Sequence, residues 1–309
     1  MKAARVHGYG DLGNVVLEDI PTPEFGPDEV LIRVEAASLN PLELLLLRGK
    51  RREVFPLSFP YTLGIDLAGT VEDAGPLAAR WRKGDRVIAR PDPVRGGAFA
   101  RYAVVPATQV AAAPANLSLD EAAGLPTAAG TAWQALFEVA HLKRGQTVLI
   151  HAGAGGVGSF AVQLARLAGA RTLATASGPN VELVRRLGAD QVIDYRTEDF
   201  SAKLSGVDVV LDTVGGETQQ RSFPILRAGG VLVSITTPVD EALAKAHAVT
   251  AVRIANKTDA TRLGLLSGLC DAGSLEVVVD RKLPLAEVEL ALRHLASGRA
   301  RGKIILKPD

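Results

Sequence analysis

Residues 147–170 have the sequence TVLIHAGAGGVGSFAVQLARLAGA, and this stretch decides the fold of the chain around it. A short apolar run ends at His151, and an amphipathic helical pattern follows after Gly153, Gly155 and Gly158. In this G-x-G-x-x-G arrangement the first glycine permits a tight turn, the second lets a pyrophosphate approach the backbone, and the third lets the helix pack on its strand. Free N–H groups at the start of the helix are suited to hold that pyrophosphate. The stretch therefore predicts a dinucleotide site.

Glycines that serve only turn and packing, or a methyltransferase site for another adenosyl cofactor, would give a similar motif. Here the motif follows a predicted strand and starts a series of strand-helix units, which favours the dinucleotide. Helical patterns at Val181–Leu187 and Thr218–Leu226 alternate with strands that are nearly all apolar, as in parallel sheets buried on both faces. These strands are RTLATA (171–176), QVID (191–194), VDVVLD (207–212) and GVLVSI (230–235).

The residues on either side of this region have a different sequence pattern. Up to about residue 121, short β-prone runs separated by proline and glycine predict antiparallel, barrel-like structure. These runs are Glu29–Ala36, Gly69–Glu72, Arg86–Ala89 and Ala100–Val105. After residue 255, the sequence predicts helices at Ala260–Ala272 and Leu285–Ala296 and a strand at Lys303–Leu306. This tail either extends the α/β domain or returns to complete the first one.

Composition excludes several classes of protein. With 309 residues, 47% of them hydrophobic and 22% charged, the chain is long and apolar enough to fold around a large core. A net charge of +1 gives no basic surface for nucleic acid or an anionic membrane. No apolar run approaches the roughly 18 residues of a membrane span, and the start lacks a signal peptide. We therefore expect a soluble, cytoplasmic protein.

Residue counts exclude further chemistries. The single cysteine, Cys270, leaves no disulfide and no thiolate-rich metal site, and is expected to be an inert core thiol. The histidines show no metal-ligand spacing, so we expect no metal. No tyrosine occurs at the spacing Tyr-x-x-x-Lys, which excludes the mechanism of short-chain reductases. At the end of the second strand, residues 174–180 contain no acid to bind a ribose 2′-hydroxyl. That favours NADP(H), although an ordinary turn there would tolerate either cofactor.

Taken together, a series of motifs resembles the medium-chain dehydrogenase/reductase superfamily, and more closely its zinc-independent quinone oxidoreductase and enone reductase branch. The resemblance implies an α/β fold, with a GroES-like β-rich catalytic domain (1–121 and 256–309) and a Rossmann domain with a doubly wound parallel sheet (122–255). It also implies that the tail returns to the first domain. The motifs are SLNPLELLLLRG (38–49), PYTLGIDLAGTVEDAG (60–75), KGDRVIA (83–89), GGAFARYAVVP (96–106), AAGLPTAAGTAWQAL (122–136), AGAGGVG (152–158), GADQVIDY (188–195), DTVGG (212–216) and RGKIILKP (301–308).

The resemblance also implies roles for individual residues. Asn40 matches an asparagine near the nicotinamide, and Thr131 a threonine that reaches the nicotinamide side. Glu43 stands where aspartate is usual, and Asn180 replaces the lysine that commonly holds the 2′-phosphate. NADPH selectivity is therefore expected to be weaker than is typical, unless Arg185 or Arg186 compensates. The remaining cofactor-binding residues implied are Gly153, Gly155, Gly156, Val157 and Gly158 at the pyrophosphate, Ser177 and Tyr195 at the adenosine phosphate, and Val214, Gly215, Ile235 and Thr236 at the nicotinamide nucleotide.

The predicted activity is transfer of a hydride from NADPH to a small quinone or α,β-unsaturated carbonyl compound, with water able to supply the proton. Tyr61 is the best side-chain candidate for the proton donor, and its alternative role is to anchor a strand end. We expect the acceptor pocket to be lined by Leu45, Tyr61, Phe99 and residues 91–97. The alternatives are an enoyl-thioester reductase, an NADPH-binding protein without turnover and, less consistent with the missing metal ligands, an alcohol dehydrogenase. The resemblance also implies a homodimer, with residues 250–254 as a candidate edge.

Overall fold

The computed structural model describes residues 1–257 and 259–308, and it forms two compact units. The first comprises residues 1–128 with the described part of 258–309, and the second comprises residues 129–257. Both divisions fall later in the chain than the expected boundaries after residues 121 and 255. One reason is that the N–H and hydroxyl of Thr127 both donate to the carboxylate of Asp66, which binds this segment to the first unit.

The strands are bounded as follows: β1 Lys2–Val6, β2 Val16–Asp19, β3 Glu29–Ser38, β4 Tyr61–Thr62, β5 Leu67–Ala74, β6 Arg86–Ala89, β7 Tyr102–Pro106, β8 Val110–Ala112, β9 Thr147–Ile150, β10 Arg171–Ala176, β11 Gln191–Asp194, β12 Val207–Asp212, β13 Leu226–Ser234, β14 Thr250–Arg253, β15 Val279–Pro284 and β16 Lys303–Lys307. The helices are α1 Pro41–Leu47, α2 Leu119–Ala122, α3 Pro126–Trp133, α4 Gly156–Leu167, α5 Val181–Leu187, α6 Phe200–Lys203, α7 Gly216–Ser222, α8 Glu241–Ala246, α9 Ala260–Asp271 and α10 Val288–Ala296. A π-helical segment, Gln134–Val139, follows α3 directly. No helix in the described part of the chain is long and apolar enough to cross a membrane.

The first unit is built from two sheets, as the β-prone runs predict. A small antiparallel sheet has the order β2-β1-β4, and a larger one has the order β15-β16-β3-β5-β6-β8, with β7 also paired to β3. All pairs in the larger sheet are antiparallel except β15 with β16. Alternating apolar residues of β3, among them Val30, Ile32 and Val34, enter one core with residues of α10 and β16. Because β16 pairs with β3, the tail returns to the first unit as the resemblance implies.

The second unit is a parallel sheet of the order β11-β10-β9-β12-β13-β14, and the predicted fold class is confirmed. The chain order reverses at β9, which lies between β10 and β12, so the carboxyl end of β9 is the switch point at which such sheets bind ligands. Helix α4 follows β9 and buries Phe160, Ala161, Leu164 and Ala165, which recur at helical spacing. The glycine motif thus lies at the topologically expected ligand position.

The helix predicted at Thr218–Leu226 is wrong in its bounds. Helix α7 begins at Gly216, after Gly215 adopts a left-handed backbone (φ 81°), and it ends at Ser222. Phe223 lies in the apolar core of the second unit, and β13 begins at Leu226. The apolar residues that appeared to continue a helical period are core residues of the connection between α7 and β13.

Candidate functional site

The predicted site residues fall into two groups, one in each unit. In the second unit the turn between β9 and α4 begins at Ala152, which adopts a left-handed backbone (φ 48°). The first α-helical hydrogen bond runs from the Ser159 N–H to the Gly155 carbonyl (2.9 Å). The N–H groups of Gly156, Val157 and Gly158 precede it, point out of the helix start and remain available to an anion.

Each glycine of this turn occupies its position for a different physical reason. A Cβ atom on Gly158 would overlap the Ala152 carbonyl oxygen, so only glycine lets the helix approach the turn this closely. A Cβ on Gly153 would lie 3.0 Å from the side chains of Ala174 and Val184, so this glycine serves close packing. The prediction that Gly153 permits the turn is corrected, because the left-handed residue is Ala152. Gly155 is the N-cap of α4 and has only the Ala152 carbonyl near its open side.

The His151 side chain is held by hydrogen bonds within the second unit and stabilises the turn. Its ring is fully buried, with Nε2 2.9 Å from Ser222 Oγ and Nδ1 3.2 Å from Thr175 Oγ1. Ser222 Oγ donates its proton to the Thr218 carbonyl, so it accepts from the His151 Nε2–H. Thr175 Oγ1 accepts from the Ala152 N–H and gives its own proton to Nδ1. Burial lowers the pKa of His151 to about 4, which keeps the ring neutral at pH 7.

The predicted adenosine-phosphate residues lie at the ends of β10 and β11. Asn180 Nδ2 donates to Ser177 Oγ (3.0 Å), and Tyr195 is 55% exposed beside them in the chain that follows β11. A Cβ atom on Gly178 would lie 2.8 Å from Asp194 Oδ2. An acidic side chain therefore does face this region, but it comes from β11 and not from the end of β10. The parallel pairing of Ala176 with Asp194 brings it there.

The four residues predicted at the nicotinamide nucleotide are brought together around the buried carboxylate of Asp212. Its Oδ1 accepts hydrogen bonds from the N–H groups of Val214 (3.0 Å) and Gly215 (2.7 Å). Its Oδ2 accepts from Gln219 Nε2 and Ser234 Oγ, and its carbonyl accepts from the Ile235 N–H. Gly215 is required here, because it is left-handed and a Cβ would lie 2.7 Å from Thr236 Oγ1.

Thr131 lies in α3 just before the π-helical segment. Its side chain is 6% exposed, and its Oγ1 accepts from Asn256 Nδ2 (2.8 Å). In the π-helical segment, Gln134 binds the same stretch, donating to the Ala255 carbonyl and accepting from the Lys257 N–H. Asn256 therefore belongs to the environment of Thr131, and nothing in the sequence pattern indicated it.

In the first unit Asn40 lies in a buried charged cluster. It is the N-cap of α1, and its side chain is 4% exposed. Its Oδ1 accepts from Lys303 Nζ (2.6 Å), and its Nδ2 donates to Asp66 Oδ2 (2.9 Å). Lys303 also donates to the Leu39 carbonyl (2.8 Å) and lies 3.6 Å from Asp66 Oδ2. Asp66 further accepts from Ser38 Oγ and from the N–H and hydroxyl of Thr127, so all its lone pairs are used.

Glu43 and Tyr61 border this cluster. Glu43 is 1% exposed, and its Oε2 accepts from the Asn40 N–H, whereas Oε1 has no hydrogen-bond partner. Burial, together with the charge of Asp66, raises the pKa of Glu43 to about 7. Tyr61 is 3% exposed and donates its hydroxyl to the Pro93 carbonyl (2.8 Å), and burial raises its pKa above the ordinary range. This arrangement favours the anchoring role of Tyr61 over proton donation.

A cavity of about 280 Å³ opens in the first unit. Tyr61 and residues 94–97 line it, together with Met1 and Tyr102. Phe99 is expected to line the acceptor pocket, but it is fully buried in the core and does not line this cavity. Leu45 does not reach the cavity either. The expectation for Phe99 is therefore wrong, because its ring packs beneath the Gly64 backbone.

Cys270 is buried in α9, and burial raises its pKa to about 12, in keeping with an inert core thiol. In the part of the chain that the structure describes, no group of three or more His, Cys, Asp or Glu side chains is placed to hold a metal ion.

The important residues that sequence reasoning missed are Ala152, Asp66, Asp212, Asn256 and Lys303. All but Asn256 fall within quoted motifs, and for Asp66 and Lys303 the available signal was a charged residue in or beside an otherwise apolar run.

Comparisons with known proteins agree with this architecture. Residues 26–115 match the family model of the alcohol dehydrogenase GroES-like domain, and residues 187–306 match that of a zinc-binding dehydrogenase domain. A chloroplastic quinone-oxidoreductase homolog of Spinacia oleracea is 34% identical over all of this chain and 98% of its own length. A chloroplastic NADPH-dependent alkenal/one oxidoreductase of Arabidopsis thaliana is 33% identical over all of this chain and 80% of its own. The Escherichia coli quinone oxidoreductase, solved in complex with NADPH, superposes over both whole chains with a TM-score of 0.91 and 26% identity.

Proposed function

Because the chain belongs to the medium-chain dehydrogenase/reductase superfamily, we propose that it is a zinc-independent reductase that transfers a hydride from NADPH to a quinone or an α,β-unsaturated carbonyl compound. The observation that carries this proposal is the turn before α4, where Gly158 leaves no room for a side chain and three N–H groups point outward. The names of the relatives support the two acceptor classes.

The chain's own residues fit NADPH. The N–H groups of Gly156, Val157 and Gly158 would bind its pyrophosphate, since no side chain intervenes. The loop held by Asp212 would present Val214 and Gly215 to the nicotinamide nucleotide. At the adenosine end, Ser177, Asn180 and Tyr195 would flank the 2′-phosphate.

When bound, NADPH supplies the hydride, and water supplies the proton that completes the reduction. Asn40 and Thr131 orient the reacting groups, and hydrogen-bond donors offset the negative charge that develops on the acceptor oxygen. Tyr61 is not needed as an acid in this scheme, because its hydroxyl is bound to the Pro93 carbonyl.

The decisive experiment measures oxidation of NADPH, and separately of NADH, with a benzoquinone, phenanthrenequinone, a short alkenal and crotonyl-CoA, all in EDTA. Turnover in EDTA with a quinone or the alkenal is the expected result. Turnover with crotonyl-CoA alone would identify an enoyl-thioester reductase instead. NADPH binding without turnover on any acceptor would favour a non-catalytic NADPH-binding protein.

Asn40 provides the matched mutational test. We expect Asn40→Ala to lower turnover more than it lowers NADPH affinity, because the carboxamide acts near the reacting atoms and not at the phosphates. Measuring kcat alongside the NADPH dissociation constant checks this. Unchanged turnover would remove Asn40 from the mechanism.

Self-association through the second unit is part of the proposal. Strand β14 is the last strand of the parallel sheet, and its outer edge offers backbone groups to a second copy of the chain. Light scattering tests this: a species near the chain mass of 32.4 kDa would contradict a homodimer. A cytoplasmic location stays a prediction.

A further inference from the structure

We propose that Lys303 and Asp66 are positioning residues that fix the carboxamide of Asn40, so that it offers a single N–H group to a carbonyl oxygen of the bound NADPH or of the acceptor. The inference rests on the proposed function, because Asn40 needs a ligand to donate to. It goes beyond that function because it assigns a role to two residues, Lys303 and Asp66, that the proposed mechanism does not use.

The chemistry of the neighbours determines how the amide is oriented. Lys303 Nζ has only protons to give, so the atom 2.6 Å from it is the Asn40 oxygen. The Asp66 carboxylate has only lone pairs to offer, so the atom 2.9 Å from it is the Asn40 nitrogen. Rotating the amide by half a turn would place donor against donor and acceptor against acceptor. Two buried charges therefore hold one orientation.

A count of hydrogen-bonding groups shows what is left for a ligand. The carboxamide has two N–H groups and one oxygen. Asp66 takes one N–H, and Lys303 takes the oxygen with a charge-assisted bond. One N–H of Asn40 remains, together with one lone pair of an oxygen that already accepts from a cation. Only the N–H can bind a carbonyl oxygen, so Asn40 can serve a ligand of that kind as a donor.

Stability alone does not account for this cluster. In many proteins, the free energy needed to take a lysine and an aspartate out of water exceeds what their mutual attraction returns. Replacing such a buried pair with apolar side chains often leaves the protein as stable. Here the two side chains are 3% and 0% exposed, and burial lowers the pKa of Lys303 against the opposing charges of Asp66 and Glu43. A role in orienting the Asn40 amide gives a reason for burying the two charges that stability alone does not supply.

The competing interpretation is purely structural: Lys303 would serve only to bind β16 to the Leu39 carbonyl and to Asp66, the residue before β5. A double-mutant cycle separates the two. If Lys303 acts through Asn40, its replacement matters only while Asn40 is present. If Lys303 is structural, the two losses combine independently.

The cycle compares the wild type, Asn40→Ala, Lys303→Met and the double variant. Lys307→Met is the matched control, since Lys307 lies on the same strand but is 42% exposed and pairs with Asp120. Each protein is measured for kcat and KM with the best acceptor, for the NADPH dissociation constant and for the emission of bound NADPH. Lys303→Met should lower kcat by about 10- to 100-fold, the effect of a misplaced orienting group. In the Asn40→Ala background the same change should cost almost nothing, and Lys307→Met should match the wild type.

Equal losses from Lys303→Met in both backgrounds, in every readout, would overturn the proposal while leaving the proposed function intact. If the wild type turns over no acceptor, the proposed function fails, and the cycle is decided on NADPH affinity and emission. A coupling seen in NADPH affinity assigns the oxygen to the cofactor carboxamide, whereas one confined to kcat and KM assigns it to the acceptor. If Lys303→Met does not fold because Asp66 is left unpaired, Asp66→Asn/Lys303→Met removes both charges and takes its place in the cycle.

Discussion

At the scale of single residues, the hydrogen bond and the burial of Tyr61 make it poorly suited to donate a proton to a substrate. Its hydroxyl already donates to the Pro93 carbonyl, and burial raises its pKa, with further contributions from the charges of Glu43 and Asp92. An efficient acid has a pKa near the working pH, and a shift in this direction moves the phenol away from it. The same contacts suit a side chain that anchors the loop at Pro93.

We therefore expect Tyr61→Phe to cost about 1 kcal/mol of unfolding free energy, the value of one buried hydrogen bond. It should leave kcat essentially unchanged. Urea unfolding and steady-state kinetics measure both. Tyr9→Phe is the control, since its hydroxyl accepts a hydrogen bond from the Leu57 N–H at a partly exposed position. A fall in kcat of about 100-fold or more, the contribution of a general acid, would instead make Tyr61 catalytic.

Cofactor preference is also decided by single side chains. The predicted 2′-phosphate region offers the amide of Asn180 and the hydroxyl of Ser177, while the Asp194 carboxylate lies next to Gly178. Arg185 is engaged with Glu182 at 3.8 Å. A neutral amide beside a carboxylate holds a phosphate less firmly than a cation does.

Asn180→Lys should therefore raise the preference for NADPH over NADH by about tenfold, the effect of one added charge-assisted hydrogen bond. The ratio of the two dissociation constants, read from cofactor fluorescence, measures it. Gln220→Lys adds the same single positive charge at an exposed position of α7 in the second unit and controls for a general charge effect. An unchanged ratio in Asn180→Lys, or an equal rise in Gln220→Lys, would contradict the assignment.

At the scale of elements, sequence predicted the second unit better than the first. The predicted RTLATA, QVID and VDVVLD strands coincide with β10, β11 and β12, because a strand buried on both faces must be apolar along its length. The helix expected at Thr218–Leu226 was misplaced, because the left-handed Gly215 starts α7 earlier. The cluster around Asn40 was beyond prediction from sequence spacing, since Lys303 lies 263 residues away.

The turn between β9 and α4 gives the element-scale prediction. Gly158→Ala should abolish detectable NADPH binding and destabilise the second unit, because the new methyl group would overlap the Ala152 carbonyl. Gly264→Ala is the matched control: Gly264 also lies within a helix, with no atom near its missing Cβ. It should gain up to about 1 kcal/mol from helix propensity. Thermal unfolding and NADPH titration measure both; NADPH affinity retained in Gly158→Ala would contradict the assigned role of this turn.

At the scale of the whole molecule, burial shifts the pKa of Glu43 in the first unit and of His151 in the second, and each unit contains one tryptophan. Glu43 and Trp81 belong to the first unit, and His151 and Trp133 to the second; the chain has no other tryptophan. Burial raises the pKa of Glu43 from 4.5 to about 7 and lowers that of His151 from 6.5 to about 4. The contributions of these two groups to stability should therefore change with pH in opposite directions.

The direction of each response follows from linkage. The folded first unit favours protonated Glu43, so that contribution is complete below about pH 4.5 and is lost as the pH rises towards about 7. The folded second unit favours neutral His151, so that contribution is complete above about pH 6.5 and is lost as the pH falls towards about 4. Each pKa difference corresponds to about 3 kcal/mol across its window.

Tryptophan fluorescence separates the two contributions. In a Trp133→Phe background, Trp81 reports the first unit, and Glu43→Gln should gain about 3 kcal/mol over its parent between pH 4.5 and 7. In a Trp81→Phe background, Trp133 reports the second unit, and His151→Gln should remove a loss of similar size between pH 6.5 and 4. Comparing each variant with its own parent cancels the other carboxylates, which titrate in both proteins. A Glu43→Gln difference that does not change with pH would show that Glu43 ionises as freely in the folded protein as in water, and its buried, unpartnered Oε1 would then have to be reached by solvent.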